Sequence, residues 1–77
     1  MNKVLVYSTP SCPFCHMAKD YLKSKGVDFE DFDIASNPDK AGEMITKSNQ
    51  MGVPVLDING EIIVGYDKER IDKLLGL

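Results

Sequence analysis

The only two cysteines of the chain lie three positions apart, in the stretch Ser11-Cys12-Pro13-Phe14-Cys15-His16, which also holds the only histidine. An apolar run precedes this stretch and a segment with helical spacing follows it. A Cys-x-x-Cys pair at such a strand-to-helix junction suits dithiol–disulfide exchange, because the first helical turn brings the two sulfurs together. A thiol at a helix N-terminus meets the positive end of the helix dipole and unpaired N–H groups, which favour its thiolate. The pattern therefore predicts a redox-active dithiol.

The elements on either side must hold this pair in place. Lys3 to Tyr7 is typical of a short buried strand, and residues 8–11 are expected to form a loop. The first helix should begin at Cys12 or Pro13, since proline suits a first helical turn, and should end at Gly26. Its inner stripe is predicted to comprise Met17, Ala18, Tyr21 and Leu22.

The remaining elements follow in the order β-α-β-β-α. Val27 to Ile34 predicts a second strand whose apolar residues fall on both parities, so it carries either a bulge or two partly covered faces. Its acidic residues suit an exposed edge. A second helix should begin at Ser36-Asn37-Pro38, with an inner stripe of Ala41, Met44 and Ile45, and end near Ser48.

A hairpin and a final helix complete the pattern. Strands Val53 to Ile58 and Glu61 to Val64 flank Asn59-Gly60, a strong signal for a tight turn. Asp67 should cap a last helix that buries Ile71, Leu74 and Leu75. The expected class is α/β, with the order β-α-β-α-β-β-α and a four-stranded mixed sheet flanked by three helices.

Size and composition exclude several classes of protein. The chain has 77 residues and a net charge of -3, so we expect one domain over residues 1–77. It has no Lys/Arg block to suggest binding to nucleic acid or a membrane surface, and no run of about 18 apolar residues. Because the N-terminus leads directly into a strand and two cysteines cannot form a disulfide framework, we expect a cytoplasmic protein.

Three short blocks resemble the signature blocks of glutaredoxins and glutaredoxin-like redoxins, which have a minimal thioredoxin fold. They are Cys12-Pro13-Phe14-Cys15, Gly52-Val53-Pro54 and Val64-Gly65-Tyr66-Asp67, and their spacing agrees over essentially the whole chain. The resemblance implies a monomeric thiol–disulfide oxidoreductase with no tightly bound cofactor. Disulfide-containing proteins would be its targets.

The resemblance also implies residue roles. Cys12 corresponds to the attacking thiol, Cys15 to the resolving thiol and Pro54 to a cis-proline beside the pair. The substrate-binding positions would be Thr9, Pro13, Phe14, Val53, Pro54, Gly65, Tyr66 and Asp67.

Two reductants remain open. Glutathione-binding relatives usually carry lysine where this chain has Thr9, and Lys68 interrupts the block that would hold the γ-glutamyl end of glutathione. Glutathione is the expected co-substrate. The alternative is a redoxin that is reduced by thioredoxin reductase and supplies electrons to ribonucleotide reductase or a peroxidase.

Other readings of the same residues compete with this one. Cys12, Cys15 and His16 offer three metal ligands, so a zinc or iron–sulfur centre shared by two chains is a rival class. Cys-x-x-Cys-His is also formally a haem-attachment pattern, but such attachment follows export. We expect the side chains of His16 and Lys19 to lie in solvent, Phe14 to lie on a docking surface, and the acidic edge at residues 28–33 to be solvated. Tyr7 and Tyr66 are expected either to pack in the core or to line the substrate groove.

Overall fold

A computed structural model describes residues 3–77, which form a four-stranded sheet with three helices. The elements are β1 (Val4–Ser8), α1 (Pro13–Ser24), β2 (Glu30–Asp33), α2 (Pro38–Ser48), β3 (Val55–Ile58), β4 (Glu61–Val64) and α3 (Lys68–Leu75). The strand order is β2-β1-β3-β4. β1 pairs in parallel with β2 and antiparallel with β3, and β3 pairs antiparallel with β4. The predicted element order and mixed sheet are confirmed.

The sheet separates two apolar clusters, because alternate side chains of a strand point to opposite faces. On one face Val4 and Val6 pack with residues of α1 and α3, including Leu22 and Ile71. On the other face Tyr7 packs with Met44 of α2 and with Val55. β1 therefore contributes to both clusters, which explains its nearly continuous apolar sequence. Of the two alternatives left open for Tyr7, the structure shows packing.

The second strand is shorter than the sequence predicts. Only Glu30–Asp33 pairs with β1, while Val27 to Phe29 lead into the strand without pairing. The N–H of Val27 bonds instead to the carbonyl of Leu22 at the end of α1, at 3.0 Å. Val27 and Phe29 still pack on one cluster, whereas Phe32 and Ile34 pack on the other. The mixed parity thus reflects two covered faces rather than a bulge.

Three strand boundaries and two residues of the predicted helix stripes also differ from expectation. β1 begins and ends one residue later than predicted and includes Ser8, and β3 begins at Val55 rather than Val53. Met17 and Ile45 were expected on inner helix faces, but they are 48% and 38% exposed. Met17 precedes the buried Ala18 and Ile45 follows the buried Met44, so each lies next to the buried stripe of its helix rather than in it.

Helix capping fixes the ends that matter for the site. Cys12 is the N-cap of α1 and Pro13 occupies its first turn. Asp67 caps α3 as predicted, and its side chain accepts a bond from the N–H of Arg70. No helix within residues 3–77 combines the length and apolar character needed to cross a bilayer.

Candidate thiol redox site

Cys12 is the N-cap residue of α1, and its sulfur accepts the capping hydrogen bond. Its backbone is extended, with φ -90° and ψ 114°, and its Sγ accepts the N–H of Cys15 at 3.3 Å. An N-cap acceptor satisfies one of the N–H groups that a helix start leaves unpaired. The same arrangement offers that donor to a thiolate, and the sequence produces it by placing Cys12 directly before a proline.

The loop before β3 meets the same sulfur. The peptide bond between Val53 and Pro54 is cis. The Sγ of Cys12 lies 3.8 Å from the carbonyl oxygen of Val53. The carbonyl of the buried Pro54 in turn accepts the N–H of Gly65 at 2.8 Å. The predicted blocks around residues 12, 53 and 65 are therefore neighbours in space.

The environment gives the two free thiols different acidities. Partial burial raises the pKa of Cys12, but hydrogen bonds from the Cys15 thiol and from the N–H groups of Cys15 and Phe14, with the charge of Lys19, bring it below its ordinary value. Cys15 is completely buried. Burial, followed by its bond to Cys12, raises the pKa of Cys15 to about 11. The arrangement favours a thiolate at Cys12 beside a protonated Cys15.

The other predicted substrate-binding residues differ in their burial and in their contacts. Phe14, which lies between the two cysteines in the sequence, is 59% exposed. The carbonyl of Thr9 accepts the N–H of Cys12 at 3.3 Å. Tyr66 is half-buried against the core, with its ring 6.2 Å from that of Tyr21 in an edge-on contact. Asp67 is engaged in capping α3.

The prediction for Lys19, a charged residue near the thiol pair, is wrong. This lysine was expected in solvent, but its side chain is only 15% exposed and its Nζ lies 3.0 Å from Asp31 Oδ2. Ser8, also buried, donates to Asp31 Oδ1 at 2.8 Å. The acidic edge is therefore not merely solvated. The available signal was the position of Lys19 four residues after Cys15, which places both on one helix face.

His16 is exposed, as predicted. Its Nε2 lies 2.7 Å from the carbonyl oxygen of Pro10. Across residues 3–77, no group of three or more His, Cys, Asp or Glu side chains is placed to hold a metal ion. The three-ligand set that the sequence permitted is thus not assembled within this part of the chain.

A surface cavity lies beside the thiol pair, and neither cysteine lines it. Its volume is about 470 Å³, and His16 and Lys19 line the end nearest the cysteines. Its walls otherwise come from the outer face of α1 and the approach to β2.

Comparison with known proteins agrees with this geometry. A family model described as Glutaredoxin matches residues 4–63. The chain belongs to the glutaredoxin family. This family comprises thiol oxidoreductases, so the resemblance drawn from the three sequence blocks is confirmed.

Relatives of this glutaredoxin-family protein match it over most of their length. The "uncharacterized glutaredoxin-like 8.6 kDa protein in rubredoxin operon" of Clostridium pasteurianum is 50% identical over 72 residues, 94% of this chain and 96% of that one. Glutaredoxin 3 of Escherichia coli K12 is 42% identical over 67 residues, 87% of this chain and 81% of that one. The crystal structure of a glutaredoxin from Archaeoglobus fulgidus superposes with a TM-score of 0.88 at 29% identity, covering 97% of this chain and 87% of that one. The fold is thioredoxin-like, as the sequence predicts.

Proposed function

We propose that this glutaredoxin-family protein reduces disulfides by two successive thiol exchanges, with Cys12 as the attacking thiol and Cys15 as the resolving thiol. One observation carries the assignment. Cys12 is partly exposed and accepts the N–H of Cys15, whereas Cys15 is buried and its pKa is raised to about 11. Only Cys12 combines access to substrate with a favoured thiolate, which is the nucleophile in disulfide exchange.

The exchange balances in two steps. The Cys12 thiolate attacks one sulfur of a target disulfide, a mixed disulfide forms, and the other target sulfur leaves as a thiolate. Cys15 then loses its proton and attacks the Cys12 sulfur, so that the second target sulfur leaves. Two electrons have passed to the target, and the protein holds a disulfide between Cys12 and Cys15. An external thiol donor returns it to the dithiol.

Substrate would lie along the loop that reaches Cys12. We propose that the Val53 backbone, whose carbonyl lies 3.8 Å from the Cys12 sulfur, pairs with an extended segment of glutathione or of a target protein. Pro54 and Phe14 would form apolar walls at either side. Thr9, Pro13 and the residues 65–67 would complete the surface, with Gly65 linked to Pro54 by its N–H.

We propose glutathione as the co-substrate that resets the pair, and the cytoplasm as the compartment. The 42% identity to a glutaredoxin supports this choice over a thioredoxin-reductase-dependent redoxin. A turnover assay with two arms tests it, one containing glutathione with glutathione reductase and the other thioredoxin reductase. We expect turnover only in the first arm. Turnover only in the second arm would show that thioredoxin reductase, and not glutathione, is the reductant.

The two cysteine variants test the assigned order. Cys12→Ser should lose all exchange, because no accessible thiolate remains. Cys15→Ser should lose reduction of protein disulfides but keep removal of glutathione from a mixed disulfide, which needs only one thiol. An active Cys12→Ser variant beside an inert Cys15→Ser variant would reverse the roles.

A further inference from the structure

Lys19 is held by two residues that lie outside the glutaredoxin blocks. Its Nζ lies 3.0 Å from Oδ2 of Asp31 and 3.4 Å from Oγ of Ser8. Ser8 completes the contact by donating to the other oxygen of Asp31 at 2.8 Å. Ser8 ends β1 and Asp31 lies in β2, so two neighbouring strands fix the ammonium group of a residue on α1.

Stability alone is a weak reason for this arrangement. The Asp31 side chain is 40% exposed, and ion pairs with exposed partners contribute little, typically about 0–1 kcal/mol. Holding a lysine also costs side-chain entropy. The cluster does, however, keep a positive charge on the helix face that carries Cys15, one turn away.

That charge acts on both sulfurs. The pKa of Cys12 is lowered by its hydrogen bonds and by Lys19, against the opposing effect of burial. The pKa of Cys15 is raised mainly by burial, and Lys19 opposes that rise. The titratable and charged groups that line the adjoining cavity with Lys19 are His16, Asp20 and Lys23 from α1 and Asp28 and Asp31 from the β2 side.

We propose that Lys19, positioned by Asp31 and Ser8, stabilises negative charge on whichever sulfur of the pair is the thiolate. Before attack this is Cys12. Once Cys12 is bound in the mixed disulfide, it is Cys15, which must lose its proton to complete the exchange. Lys19 takes no part in bond making, and Asp31 and Ser8 are positioning residues. The inference rests on the proposed function for the order of the two sulfurs.

The first test measures the thiol without any turnover. In a Cys15→Ser background, the rate of Cys12 alkylation by iodoacetamide is followed from pH 4 to 10 for Lys19→Gln, Lys19→Arg and the matched control Lys23→Gln. A unit charge several ångströms away in largely aqueous surroundings changes the thiolate population about twofold to threefold. Lys19→Gln should therefore slow alkylation on the acid side of the midpoint of the pH profile, by somewhat less than that factor because the less acidic thiol gives a more nucleophilic thiolate. Lys19→Arg should restore the rate, and Lys23→Gln should leave it unchanged.

The second test examines the anchoring residue and the second step. In the Cys15→Ser background, Asp31→Asn should reduce the effect of Lys19→Gln on alkylation, because the ammonium group is no longer held. In the chain with both cysteines, Lys19→Gln should slow release of glutathione from a preformed mixed disulfide at Cys12.

The outcomes separate this inference from the proposed function. Equal alkylation rates for Lys19→Gln and Lys23→Gln overturn the role of Lys19, and an unchanged Lys19→Gln effect in the Asp31→Asn background overturns the role of Asp31. Unchanged release of glutathione overturns the effect on Cys15. In each case the assignment of Cys12 and Cys15 stands if their serine variants behave as expected, whereas exchange by Cys12→Ser overturns that assignment alone.

Discussion

Selective alkylation of the native dithiol tests the electrostatic difference between its two sulfurs. The native protein is treated with less than one equivalent of iodoacetamide at pH 7. Cys15, with a pKa of about 11, is ionised to about one part in ten thousand at that pH. Cys12 has a pKa below the ordinary 9.0, so it is ionised to more than about one part in a hundred. The thiolate populations therefore differ by more than about a hundredfold.

Intrinsic reactivity offsets part of this difference. A less acidic thiol gives a more nucleophilic thiolate, with a Brønsted slope of about 0.4–0.5. The thiolate of Cys15 is therefore about ten times as reactive as that of Cys12. Complete burial of Cys15 acts in the opposite direction, because iodoacetamide must reach the sulfur. We therefore expect Cys12 to carry at least about ten times as much label as Cys15.

Fragmentation mass spectrometry measures the ratio. Trypsin leaves both cysteines in one peptide, residues 4–19, so the label must be located by fragment ions. The control is the same reaction in urea, where unfolding should make the two thiols nearly equivalent. Equal labelling of the native protein, or preference for Cys15, would refute the account of the site.

Three further predictions concern stability and a second polar network. Leu22→Ala removes a fully buried side chain and should lower the free energy of unfolding in urea by about 2–5 kcal/mol, whereas Val64→Ala, at a 53% exposed position, should change it by less than about 0.5 kcal/mol. Burial raises the pKa of Cys15 to about 11, so its contribution to stability is fully present below pH 9 and is lost as the pH rises through about 11. Cys15→Ala should remove that part of the alkaline loss, measured as urea midpoints between pH 8 and 11. The Tyr7 hydroxyl donates a hydrogen bond of 2.8 Å to Oε1 of Glu43, and this bond contributes most to lowering the pKa of that carboxyl to about 2. Tyr7→Phe should raise that pKa in a carboxyl NMR titration, and an unchanged value would show that the lysines alone hold it down.

The sequence predicts best the features set by neighbouring residues. Proline after Cys12 and asparagine–glycine at residues 59–60 are local signals, and the helix start and hairpin occur where they indicate. The blocks around Cys12, Val53 and Gly65 lie far apart in the sequence, and their proximity was implied by the family resemblance rather than by a local signal.

The features that the sequence misjudged, or left open as it did for Tyr7, depend mostly on partners far along the chain. The position of Lys19 is set by Asp31 on another strand, and the burial of Tyr7 by α2, whose Glu43 and Lys47 contact its hydroxyl. Helical periodicity placed Met17 and Ile45 inside, but periodicity does not show how wide a stripe the sheet covers. Likewise the apolar residues before Glu30 resemble strand, although β1 has no pairing partner for them.

The use of a cysteine sulfur to begin α1 links protein folding to electron transfer. As a thiolate, Cys12 is a strong acceptor for the N–H of Cys15, but as half of a disulfide it carries no charge and accepts weakly. Oxidation therefore weakens the start of the first helix, and by closure of the thermodynamic cycle the same free energy favours the reduced pair. Any change that strengthens this sulfur-to-amide contact should make the protein a better oxidant, and any change that loosens it should make the protein a better donor of electrons.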